Sequence, residues 1–179
     1  MPETTWELTA ADGAVRVHTD VAGRAARTGH RLTIGLEQWT ATVTFDDDEP
    51  TGIEASIAVD SLKVESGEGG LTPMSGPEKM VARGNALKSL KADKFPDITY
   101  SSSSITKSDN GYHVDGTLTI HGKNRPQTLD LTVDDVDGGR EISTEATITQ
   151  TDFGIKPYSL MMGTLKVADD VRVEITVTH

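Results

Sequence analysis

The sequence predicts an all-β protein: an up-and-down antiparallel β-barrel of about eight strands with one short α-helix packed on it. Three observations predict it. Apolar residues recur at every second position in one run after another, the period of a half-buried strand. Turn-forming clusters such as Asp109-Asn110-Gly111 and Asp137-Gly138-Gly139 separate the runs at hairpin distances. Helical spacing shows in a single stretch, residues 76–91. With no linker and no internal repeat, the 179 residues read as one domain, 1–179.

In chain order, Trp6 and Leu8 share one face, as do Val15 and Val17. Leu32, Ile34 and Leu36 alternate next, and the pattern resumes at Trp39, Ala41, Val43 and Phe45 with its parity flipped across Glu37-Gln38. The same flip follows Ile53, Ala55, Ile57 and Val59, where alternation resumes at Leu62 and Val64. Each flip is either a β-bulge that bends a curling sheet or a break between two strands. Residues 66–77, SGEGGLTPMSGP, form a flexible loop into the helix. On that helix Met80, Leu87 and Leu90 fall on one stripe with Val81 beside it, while Lys79, Arg83 and Lys88 lie elsewhere. Gly84 weakens it by about 1 kcal/mol, so packing against the sheet has to support it. Pro96 holds Phe95 in extended geometry and ends the helical stretch. Later strands carry Val114, Leu118 and Ile120; Leu129, Leu131 and Val133; Ile142, Ala146 and Ile148; and Val171, Val173, Ile175 and Val177. A lone helix beside a barrel caps one end or lies across the wall.

Composition excludes several functions. Without cysteine there is no disulfide, no thiolate metal site and no cysteine nucleophile. A net charge of −11 opposes nucleic acid and stable association with an anionic membrane. No basic-then-apolar leader opens the chain, so a cytoplasmic location is expected.

Among the histidines, His18, His113 and His121 oppose the parity of their apolar neighbours and are expected on the outer surface. His30 shares the parity of Leu32 and Ile34 and should face inward near an opening, either bonded to backbone or serving a ligand. These spacings build no metal site, and no cofactor is expected. Arg24, Arg27 and Arg31 form the main basic cluster, suited to a phosphate or carboxylate head group or to surface ion pairs. Met74, Met80, Met161 and Met162 fall in non-strand segments and suggest a pliable entrance. Ser102 and Ser104 share the parity of Tyr100 and would place a polar spot inside, while Asp152 is expected to hold a turn.

Three stretches carry a resemblance. NALKSLKADKFPDITYSSSSI (85–105) resembles the YceI-like segment in which a helix runs through an aromatic-Pro pair into a serine-bearing strand. GTLTIHGKNRPQTLDLTV (116–133) resembles that family's strand-turn-strand, and ATITQTDFGI (146–155) followed by DDVRVEITV (169–177) resembles its ending. The stretches are collinear. His121 and Gln150 stand where the family often carries arginine. The resemblance implies a lipocalin-like barrel with a long apolar cavity, some members binding polyisoprenoid chains.

The resulting expectation is a non-catalytic carrier for an apolar, polyisoprenoid-type small molecule. Val17, Ile34, Trp39, Val43, Ile57, Tyr100, Leu118, Leu131, Ile148 and Val173 would line the cavity. Arg27 and His30 would meet a head group, and Met80, Leu87, Met161 and Met162 would form the entrance. Two alternatives remain at this level: a small isomerase or hydrolase using an inward acid–base pair, and an interaction protein with a filled barrel.

Overall fold

The computed structural model describes residues 4–179, apart from the side chain of Met161. Its strands are β1 (Thr5–Thr9), β2 (Gly13–His18), β3 (Val21–Ala22), β4 (His30–Leu36), β5 (Trp39–Asp46), β6 (Glu49–Ala58) and β7 (Leu62–Gly69). After helix α1 (Gly76–Leu90) come β8 (Asp97–Lys107), β9 (Gly111–Ile120), β10 (Lys123–Val136) and β11 (Gly139–Thr149). Then follow β12 (Ser159–Leu160), β13 (Leu165–Val167) and β14 (Asp170–Thr178). Eleven strands form one curled antiparallel sheet in the order β1-β5-β6-β8-β9-β10-β11-β14-β2-β4-β7, and β12-β13-β3 form a small second sheet.

The main sheet therefore exceeds the expected strand count, and the parity flips explain part of the excess. Both are breaks. β4 pairs with β7 up to Leu36 opposite Leu62, and β5 pairs with β6 from Trp39 opposite Ile57. Between them the chain turns a corner through Glu37-Gln38 on one arm and a 3-10 turn, Val59–Ser61, on the other. The two corners are hydrogen-bonded to each other: Ala58 N–H donates to Gln38 O at 2.9 Å and Glu37 N–H to Ser61 O at 3.3 Å. One long hairpin is thus bent so that its halves lie near opposite ends of the sheet order, and each arm counts as two strands.

The register shifts elsewhere: between Thr33 and Ile34 against β7, between Thr44 and Phe45 against β6, and within the four serines of β8. The register with β9 shifts between Ser102 and Ser104, which lets both Tyr100 and Ile105 face the interior. Ser104 is thereby turned outward, where its hydroxyl donates to the Asp115 carboxylate at 3.3 Å. Ser102 accepts the Ile53 N–H at 2.8 Å. The expected interior polar spot is not formed by these two residues.

The curling brings the first and last strands of the sheet into a shared core. Leu8 of β1, Trp39 of β5, and Leu62 and Val64 of β7 belong to one buried cluster, although among the described residues β1 and β7 form no ladder. A second cluster gathers Ile120, Ile148, Phe153 and Ile155, and Leu90 of α1 packs against both.

Helix α1 begins with a capping box. Ser75 Oγ accepts the Glu78 N–H at 3.2 Å, and Glu78 Oε1 accepts the Ser75 N–H at 3.1 Å. It ends at Lys91, which adopts left-handed geometry. Arg83 fastens it to the sheet, donating from Nε to Leu62 O at 2.8 Å and from Nη2 to Asp60 O at 2.6 Å. Ala82, Ala86, Leu87 and Leu90 complete the packing. The helix thus clamps the corner where the bent hairpin turns.

Candidate functional site

The sheet encloses a cavity of about 850 Å³, within the range of small-molecule sites. Its lining runs from Val21, His30, Val81, Leu160 and Lys166 at one end to Phe45, Asp48 and Arg140 at the other. The wall between is aliphatic and aromatic because alternate residues of each strand point inward. All ten side chains placed inside from sequence parity line this cavity: Val17, Ile34, Trp39, Val43, Ile57, Tyr100, Leu118, Leu131, Ile148 and Val173.

Polar groups in the wall are mostly bonded to the protein itself. The buried Tyr100 hydroxyl donates to Gln127 O at 2.9 Å. Burial, with the Asp115 carboxylate as a lesser cause, pushes its pKa up to about 12. Its ring lies so close to Gly116 that a Cβ there would sit 2.6 Å from the ring, which is why that strand position is glycine. Thr144 Oγ1 donates to Asp130 O at 2.9 Å. Trp39 is the exception: its buried Nε1–H has no hydrogen-bond partner among the described residues.

The head-group pair separates. His30 lines the cavity, but its Nε2 lies 2.7 Å from Thr72 O. A carbonyl only accepts, so Nε2 carries the proton and ties residues 70–75 down over β4. Arg27 is exposed on the 3-10 turn Ala26–Thr28, outside the lining.

Of the expected entrance residues, Met80, Leu87 and Met162 do not line the cavity. At 100° per residue, Glu78, Ala82, Asn85, Ala86 and Ser89 form the helix face toward the cavity. Met80 lies nearly opposite that face and is 66% exposed. Leu87 packs against the core beside Arg83 rather than lining the cavity. Met162 is fully exposed, and the side chain of Met161 lies outside the described part of the structure. Met74 does line the cavity, and its sulfur would sit 2.5 Å from a Cβ on Gly67. The middle of the helix's inner face is built from small and polar residues, and of the expected stripe Leu90, with Val81 beside it, lines the cavity while Met80 and Leu87 do not.

The remaining histidines take distinct roles. His18 and His113 lie on the outer face as expected, with carboxylates of Glu174 at 3.7 Å and Asp130 at 2.7 Å. His121 does not sit on an open surface. It occupies the β9–β10 turn at φ 57°, followed by Gly122 at φ 72°. Its ring packs 5.1 Å from that of Phe95 and its Nδ1 lies 3.1 Å from Phe153 O. Among the described residues no helix is long and apolar enough to cross a membrane.

Solved structures share this architecture. BcnA of Burkholderia cenocepacia superposes with a TM-score of 0.68 at 19% identity, covering 92% of this chain and 96% of that one. The Campylobacter jejuni YceI protein gives 0.61 at 21% identity, covering 82% of each chain. Among curated sequences, a UPF0312 protein of Yersinia pestis is 27% identical over 114 residues, which span 63% of this chain and 55% of the relative's length. Protein YceI of Escherichia coli is 26% identical over 149 residues, 78% of this chain and 72% of that protein. The shared architecture fixes the fold, and the match to the YceI-like domain over residues 6–179 settles membership: the chain belongs to the YceI-like family.

Proposed function

We propose that this protein binds and carries an apolar, chain-like small molecule of the polyisoprenoid class, without catalysing its conversion. The observation that carries this reading is the cavity of about 850 Å³, walled mainly by aliphatic and aromatic side chains, with the Tyr100 and Thr144 hydroxyls already bonded within the protein. Each methylene moved from water into such a wall contributes about 0.8 kcal/mol. A long chain therefore needs few directional contacts, although the loss of its freedom offsets much of that gain. An anionic head group on the chain would stay at the opening, where Arg27 stands exposed.

A catalytic reading has less support. His30 and Glu78 both line the opening, but each is engaged by backbone, His30 with Thr72 O and Glu78 with the Ser75 N–H. The hydrogen bonds from Ser75, with a smaller contribution from His30, lower the Glu78 pKa, which favours a capping carboxylate over a proton donor.

Native mass spectrometry of protein purified without detergent, followed by organic extraction, tests the proposal. A stoichiometric adduct whose released mass fits an isoprenoid chain is expected. A bare chain that stays bare after incubation with a total lipid extract would overturn it.

A further inference from the structure

The end of the cavity framed by α1 and the small sheet has a surface that core packing does not explain. Val81 and Leu160 both line the cavity and are nonetheless 64% and 48% exposed, so they form its rim. Leu71, Met80 and Met162 stand in the adjoining segments and are more exposed still. Large apolar side chains grouped around an opening mark an interaction surface rather than ordinary surface scatter.

The charge around this rim runs against that of the whole molecule. Segments 19–31, 67–83 and 155–168 hold seven Lys and Arg against three Asp and Glu, in a chain with 17 against 28. Elsewhere, ten cations stand against 25 anions. Arg24, Arg27, Arg31, Lys156 and Lys166 are exposed, and among the described residues none of them forms an ion pair. Backbone bonds join the charged and apolar parts. Ala25 N–H donates to Thr164 O at 2.7 Å, tying the Arg24–Arg27 turn to the turn that carries Met162. β3 pairs with β13 beside it.

We infer that this rim docks briefly on an anionic lipid bilayer. Its apolar side chains enter the headgroup boundary and its cations meet acidic headgroups, so that cargo passes between bilayer and cavity without crossing water. The inference rests on the carrier reading above. The opposite end carries four consecutive acidic residues, Asp46 to Glu49, so the molecule's own field turns the rim toward a negative surface. The net charge of −11 keeps the contact short-lived.

Flotation with cargo-free vesicles tests docking by itself. Phosphatidylcholine vesicles are compared with vesicles containing about 30 mol% phosphatidylglycerol, in low and high salt. Binding is expected on the anionic vesicles alone and should fall as salt rises. Arg24→Glu with Arg27→Glu should weaken it about ten-fold or more. Leu160→Ser with Met162→Ser should weaken it without changing its salt dependence; all four positions are exposed, and an unchanged melting curve shows that the fold is kept. Equal binding to both vesicle types, binding to neither, or charge-reversed protein that binds like the parent would overturn docking.

Transfer of a dansyl-labelled farnesyl probe then separates the two readings. A rate that rises with acceptor-vesicle concentration supports contact transfer, whereas a rate independent of it means release into water and overturns the inference while leaving the carrier intact. Protein that floats with anionic vesicles yet takes up no probe would support docking and overturn the carrier reading.

Discussion

The two ends of the barrel are built by different rules. At the far end, β5 and β6 meet through a two-residue turn, Asp47-Asp48, at φ 50° and 66°. Aromatic packing joins β1, β5 and the residue after β14 there: the Trp6 ring lies 4.7 Å from Phe45 and 4.2 Å from His179. At the other end, α1, the small sheet and the bent hairpin come from distant parts of the sequence and are held by a few bonds to backbone, with Arg83 and His30 the chief donors. One end is built from hairpin geometry and aromatic rings. The other is assembled from segments that meet only once the chain has folded.

The largest effect is expected from Arg83→Ala. It removes two charge-assisted hydrogen bonds at the corner and should cost about 1.5–3 kcal/mol. Urea unfolding gives the loss, and hydrogen exchange should locate it in α1. Arg83→Lys should restore little, because an ammonium cannot reproduce the two-pronged geometry. Exchange spread evenly over the sheet would mean that the helix is not a separable part.

Trp6→Ala probes the opposite end. Losing its ring contacts should destabilise by roughly 1.5–2.5 kcal/mol, read from thermal melts, while vesicle binding stays at the parent level. A drop in vesicle binding would dissolve the distinction between the ends.

Asp48→Gly should act in the other direction. Glycine occupies positive φ without strain, and Asp-Gly is the favoured pair in such a turn, so a gain of about 0.5–1 kcal/mol is expected. A lower melting temperature would show that Asp48 makes a contribution beyond its backbone geometry.

The smallest effect concerns His113 on the outer face, near the start of β9. Its hydrogen bond to Asp130, with Asp115 nearby, raises its pKa above the usual imidazole value. The protonated form is the one favoured by folding. Its stabilisation is therefore complete below about 6.5, the unfolded value, and fades as pH rises through the raised folded value. Asp130→Asn should flatten this part of the stability–pH curve, as chemical denaturation at successive pH values would show; an unaltered slope would remove His113 from the account.

How much of this was readable follows the same division. The ten side chains chosen from strand alternation all line the cavity, because with a period of two a one-residue slip would have turned them outward. The parity flips were visible too, but a flip alone does not distinguish a bulge from a corner. Four identical serines concealed the bulge at Ser102–Ser104, since no apolar residue marks the change of face. β3 and β12 have two residues each and β13 has three, too few to show a period. Arg83 gave no local signal at all, for its partners lie on a corner that exists only once the hairpin bends. What repeats along the chain could be read; what depends on distant segments meeting could not.

One pairing described above bears on how the molecule is made. β14 lies beside β2, with Val173 opposite Val17, so the strand that completes the sheet is synthesised after every other strand in it. The meander β8–β11 can form from neighbouring hairpins as it emerges. The β2–β14 ladder must wait, and closing so long a loop slows the final step. Until then the greasy inner faces of the nascent sheet stand open to water, and the interval before closure is when the chain most needs protection from its neighbours.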